Sequence, residues 1–161
     1  MSKLHNMRGI EIKPFRAVSS GLQTFDALFG EHGFHLWVND HRHLLQQHVY
    51  EPCDFLWHEG DLNLWALAVR SETTAEDVAP YEFIDFPGGM FLVATGDEKD
   101  NDDLEETISC MTDWIRQSDT FEYGDFPKSG MCNMPNPDGA FDGALGIAQQ
   151  QIYLPLKFRA K

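Results

Sequence analysis

Apolar and polar positions along the chain follow two rhythms, a strand period of two and a helical period near 3.6. Residues 81–96, YEFIDFPGGMFLVATG, carry Phe83, Ile84, Phe86, Phe91, Leu92 and Val93, types that suit a pleated, half-buried surface. Pro87, Gly88 and Gly89 interrupt that strand near its middle. Proline removes a ladder donor and paired glycines weaken a strand, so the interruption needs a reason. Residues 9–20, GIEIKPFRAVSS, read the same way, with Pro14 near the middle of a first strand. Residues 54–70, DFLWHEGDLNLWALAVR, read as two strands about a Glu59–Gly60–Asp61 turn. In the second strand Leu62, Leu64, Ala66 and Ala68 face one way, and Asn63, Trp65, Leu67 and Val69 the other.

Helical spacing appears in three places. Leu22, Phe25, Leu28 and Phe29 form one stripe in residues 22–30, which Gly30 ends. Residues 40–49 suggest a further helical turn or two. The clearest helix is 104–118, where Leu104, Ile108, Met111 and Ile115 repeat on one face and Trp114 is expected beside them in the core. Asn101 or Asp102 can cap it. The polar run 71–80 reads as a connector, and 121–146 as loop. Residues 148–158 close the chain as a strand, whose Pro155 is tolerable only at an edge or bulge. Each half thus runs strand, helix, strand or strands, with a proline in its first strand. The element order is a weak internal repeat. The expected fold is α+β: a tandem βαββ repeat about a pseudo-twofold axis, with repeat one at about 9–70 and repeat two at about 81–158. A curved antiparallel sheet would carry helices on one side and a central groove.

Composition narrows the function. The chain has 161 residues, the size of one domain, and a formal net charge of −14. That charge disfavours direct contact with nucleic acid or an anionic membrane, both of which reward a basic patch. The three cysteines, Cys53, Cys110 and Cys132, form no CxxC pair, so neither a disulfide framework nor a structural zinc site is expected. No apolar leader and no run of transmembrane length is present, and the expected location is cytoplasmic.

At this point specific segments match a known family. FIDFPGGMFLVATG, the helix ending MTDWIRQS, FEYGDFP and the C-terminal QIYLPLK resemble, in order and spacing, the GyrI-like effector-binding domain. That small-molecule domain is attached to many AraC- and MerR-type regulators and also occurs alone. NLWALAV looks like the strand closing the family's first repeat. The resemblance spans roughly residues 9–158. It implies the tandem βαββ fold, transcription regulation and multidrug binding, and it places the proline-glycine step in the first strand of a repeat, where a bulge bends the strand around the groove. Two departures stand out. Only eight residues precede residue 9, so no DNA-binding domain is expected. Many members carry a glutamate in a segment resembling fErY that meets cationic ligands or assists hydrolysis. The corresponding SGMCNMP at 129–135 has no acid.

Aromatic residues are the main candidates for binding: Trp37, Phe55, Trp57, Trp65, Phe91, Trp114, Tyr123 and Tyr153. A groove lined by a few of them suits planar hydrophobic guests. The expected ligand-binding set is Trp37, Trp57, Trp65, Phe91, Tyr153 and Glu122; Glu59 and Glu82 are the other acids considered. Seven histidines, among them His41–Arg42–His43 and His32 to His35, fit no metal spacing, and no metal or cofactor is expected. No GxSxG elbow or cysteine–histidine pairing marks a nucleophile, and no catalytic residue is assigned. The expected role is a standalone module that senses or sequesters a hydrophobic or amphipathic small molecule. The alternatives are a hydrolase of electrophilic small molecules, or an acidic module pairing with a protein such as gyrase. A homodimer is a further expected assembly.

Overall fold

In the computed structural model, which describes residues 5–46, 54–134 and 148–161, both proline interruptions are strand ends. β1 (His5–Ile12) stops before Pro14 and β2 (Phe15–Ser19) starts after it. β5 (Glu82–Phe86) and β6 (Gly89–Asp97) flank Pro87 and Gly88 in the same way. One strand broken at its middle is thus corrected to two strands. Gly88 and Gly89 adopt φ of +70° and +138°, which carry the backbone out of the pleat into a region that L side chains avoid. The chain forms two compact units that divide at these points: residues 13–88, and residues 1–12 together with 89–161.

In the unit 13–88 the strand order is β3-β4-β2-β5, with every pair antiparallel. β3 (Asp54–Glu59) and β4 (Leu62–Ala68) form the expected hairpin, and Gly60 turns it at φ +61°. On one face pack α1 (Phe25–Phe29) and α2 (Phe34–Asp40). The Thr24 hydroxyl caps α1, accepting the Ala27 N–H at 3.2 Å. Of the helical turns expected at 40–49, the described residues 41–46 hold one 3₁₀ turn, Arg42–Leu44, after α2 has already ended; residues 47–49 lie outside the described residues. Val18, Leu28, Phe34, Val38, Leu67 and Val78 form the core of this face. The opposite face carries the stacked rings of Phe15, Phe55 and Phe86, with centroids 4.8 Å apart for Phe15–Phe86 and 5.4 Å for Phe55–Phe86. The polar connector contains a short helix, α3 (Ala75–Val78), that the sequence reading did not place. Thr74 and Asp77 cap it reciprocally, and the N–H and O–H of Thr74 hold the Asp77 carboxyl below its usual range.

In the other unit the order is β1-β6-β9-β8, with β7 also pairing β9. Here β7 is Phe121–Tyr123, β8 is Met131–Asn133 and β9 is Gln149–Phe158. α4 (Asn101–Gln117) lies on one face, and Met111 and Ile115 pack against Leu92, Ala94, Ile152, Leu154 and Leu156. Burying each such side chain is worth about 1.5–3 kcal/mol relative to exposure. The cap is Asp100, one residue before the expected pair; its carboxylate accepts the Asp103 N–H at 3.1 Å. The buried stripe of α4 is Asp103, Thr107, Met111 and Ile115. Ile108 is 42% exposed and Trp114 38%, so neither belongs to the core, a correction to the apolar face read from the sequence. Asp103 holds its place because its carboxylate accepts the Asp97 N–H at 2.9 Å. Gly96 lets the helix come close: a Cβ there would meet Leu104 Cδ2 at 2.7 Å.

Pro155 sits inside β9, opposite Phe91 of β6, rather than at an edge. Its carbonyl accepts the Gly124 N–H at 2.7 Å on the side of β9 where β7 and β8 lie. A residue in a strand points its N and O to the same side. The missing N–H therefore faces the gap between β7, which pairs residues 156–158, and β8, which pairs residues 151–153, so no rung is lost. No helix of the described residues is long and apolar enough to cross a membrane. The expectations for Cys53, His48 and residues 135–147 lie outside the described residues.

Candidate functional site

The β3–β4 register places Asp54 opposite Leu67 and Leu56 opposite Trp65. Opposite residues in an antiparallel pair share a face, so Asp54, Leu56, Trp65 and Leu67 all look toward the helices. Asp54 and Trp65 are diagonal neighbours, and the Trp65 side chain hydrogen-bonds the carboxylate. Burial raises the Asp54 carboxyl from the ordinary 3.8 to about 6, while the indole bond pulls partly the other way. A carboxylate largely withdrawn from water beside an indole is costly unless something needs it.

An aromatic cluster extends from Trp65. Phe34 meets it edge-on at 5.7 Å and Phe29 tilts against it at 5.5 Å. Trp37 stacks on Phe34 at 5.7 Å with only 6° between the planes, and Tyr81 closes on Phe34 at 4.5 Å. His41 covers the far face of this group, stacked on Trp37 at 4.4 Å, and its Nδ1 lies 2.8 Å from the Trp37 carbonyl oxygen. Trp37, Trp65 and Tyr81 are half-buried, and Phe29 is 39% exposed, so the cluster reaches the surface. The buried Trp37 Nε1–H has no acceptor among the described residues. Ring faces carry negative quadrupole potential. Together with a partly buried carboxylate they favour a guest that is apolar in body and positive in charge.

The other residues expected to bind ligand fall elsewhere. Trp57 belongs to the opposite face of the same sheet, tilted against Phe86 at 6.2 Å, so Trp37 and Trp65 share a cluster that excludes it. Phe91 and Tyr153 lie in the other unit, on the sheet face turned from α4, and meet edge-on at 6.4 Å. Tyr153 is buried; its hydroxyl donates to Gln151 Oε1 and lies 3.3 Å from Asn133 Oδ1. An amide therefore stands in the segment where the resembling family carries its acid. Glu122 lies on β7 between Lys157 and Arg159, each 3.7 Å away. Glu59 and Glu82 are exposed. Asp54 is the residue the sequence reading missed. Its signal was legible: a hairpin turning at Gly60 fixes the register that sets residue 54 diagonally from Trp65.

No family model matches the chain, and no curated protein matches it. Solved structures do. SAV2435, in its structure bound to tetraphenylphosphonium, is 13% identical with a TM-score of 0.58, over 94% of each chain. EcmrR, from a cryo-EM structure of an EcmrR–DNA complex, is 12% identical with a TM-score of 0.63; the match covers 94% of this chain and 57% of that one. A Staphylococcus aureus MU50 protein described as a transcription regulator is 11% identical with a TM-score of 0.50, over 95% of this chain and 99% of that one. At such identities the likeness concerns the fold, and the fold is the one the sequence resemblance implied.

Proposed function

We propose that this chain, a GyrI-like fold, holds a small amphipathic cation, with its apolar body against Trp37, Trp65 and Phe29 and its charge beside Asp54. The observation that carries the reading is the partly buried Asp54 carboxylate on an aromatic face. The likeness to SAV2435, seen with tetraphenylphosphonium, supports it. The role that follows is sensing or sequestration, with affinity from apolar burial and stacking and orientation from one acid.

Calorimetric titration of the full chain with tetraphenylphosphonium at pH 5 and pH 7.5 tests it. Affinity is expected to rise with pH, because the cation needs the ionised acid. Asp54→Asn should weaken binding about tenfold at pH 7.5 and leave pH 5 nearly unchanged. No saturable binding, or an Asn variant equal to the wild type at pH 7.5, would overturn the reading.

A protein partner is a second reading, favoured by one observation. Leu22, Phe25, Phe29 and Leu36 are exposed, and residues 20–36 contain no lysine or arginine. Such a surface suits a basic, apolar partner, whose capture should fail as salt is raised.

A further inference from the structure

The unit made of residues 1–12 and 89–161 holds a groove of its own, on the face that α4 only partly covers. Among the described residues β1 pairs with β6 alone, and the register sets Gly9 opposite Leu92 and Glu11 opposite Met90. α4 packs over β6 and β9. The space left beside it has a volume of about 670 Å³, floored by Gly9, Met90, Leu92 and Leu156 and walled by Trp114 and Phe121. That volume is the size of a drug-like molecule. Trp114 and Phe121 stack at 6.3 Å with 27° between planes, and Phe121 continues the line to Phe158 at 5.2 Å. Aromatic walls and a methionine floor adapt to flat guests.

The charges around the groove set the class of guest. Arg8 and Glu11 are the ionisable residues among the described lining; the register sets Glu11, opposite Met90, on the groove's face and Arg8, opposite Val93, on the other. Arg8 donates to the Asn6 carbonyl at 3.1 Å. Farther along, Arg116 is held by Asp113 at 2.7 Å, Lys157 by Asp125 at 3.0 Å and Arg159 by Glu122 at 3.7 Å. Glu11 is exposed at the edge of the groove, so among the described lining residues no buried charge stands on this face to select an ion. At Gly9 the groove is open: a Cβ there would meet nothing within 4 Å.

We propose that this groove is a second small-molecule site, for a neutral planar aromatic compound, independent of the Asp54 site. The test uses the full chain and the neutral fluorophore N-phenyl-1-naphthylamine, titrated with tetraphenylphosphonium held in excess. The wild type should take up the probe saturably. Gly9→Phe fills the groove from an extended strand position and should weaken uptake at least about tenfold with an unchanged melting temperature. Trp114→Ala, at an exposed position, should weaken it several-fold by removing the stacking wall. If Gly9→Phe fails to fold, the Trp114 variant decides. The proposal is overturned if the wild type shows no saturable uptake under excess tetraphenylphosphonium, or if the folded variants bind the probe as the wild type does.

Discussion

Asp54 has a cost that can be read against pH. Its carboxyl binds a proton more tightly folded than unfolded, so between pH 3.8 and about 6 folding takes up a proton. Raising pH through that window removes stability, and above about 6 the full penalty applies. Asp54→Asn keeps an acceptor for the Trp65 indole and loses the charge. Melting curves at pH 4 and pH 7 should show the variant gaining on the wild type as pH rises, by at most about 3 kcal/mol. A gap independent of pH would count against a buried, ionising Asp54. Thr107 offers a second comparison. It is 1% exposed, and its hydroxyl has no partner among the described residues. Thr107→Val replaces that hydroxyl with a methyl of similar shape and should stabilise by about 1 kcal/mol in urea unfolding. Neither residue announces itself by type: an Asp at a strand start and a Thr in a helix are both commonly solvated. Only register, for one, and the true buried stripe, for the other, reveal them.

The elements divide by how much of their logic is local. The β3–β4 hairpin was legible because Gly60 and two apolar runs specify it within a few residues. α4 was legible because Met111 and Ile115 repeat at helical spacing and acids crowd its start. Its buried face was misjudged by one position in the first two turns, since Asp103 and Thr107 occupy places that periodicity assigns to the apolar Leu104 and Ile108. α2 was overlooked because its apolar pair, Phe34 and Val38, spans only one turn among histidines that drew attention to metal spacing. α3 is four residues long and rests on the Thr74–Asp77 cap, too short for any period. The two proline steps were read as bends, because strand pairing between distant segments is what makes them ends. Capping remains a testable local contribution: Asp100→Ala should lower the stability of the chain by about 1 kcal/mol, measured by chemical denaturation, through loss of the Asp103 N–H acceptor at the start of α4.

At the scale of the molecule, the two compact units do not follow the two halves of the sequence. The unit 13–88 is continuous, whereas the other borrows β1 from the opposite end of the chain. A fragment of residues 89–161 should therefore expose the edge of β6 and aggregate, and a synthetic peptide of residues 1–12 should restore its solubility and β-sheet circular dichroism. Indifference to that peptide would mean that β1 adds little to this unit. The net charge of −14 acts on the whole chain as self-repulsion. Raising sodium chloride from about 10 mM to about 200 mM shortens the screening length and should raise the melting temperature.

The pairing of β1 with β6 also sets an order in time. During synthesis β1 leaves the ribosome ahead of the other described strands and does not meet β6 until Gly89–Asp97 has followed. By then every strand and helix of the unit 13–88 has already been delivered, in one uninterrupted stretch. Loop closure across that whole stretch is a late step, and the contiguous unit is complete in the chain before the split one can begin. Of the described strands, the earliest made is among the last to be used.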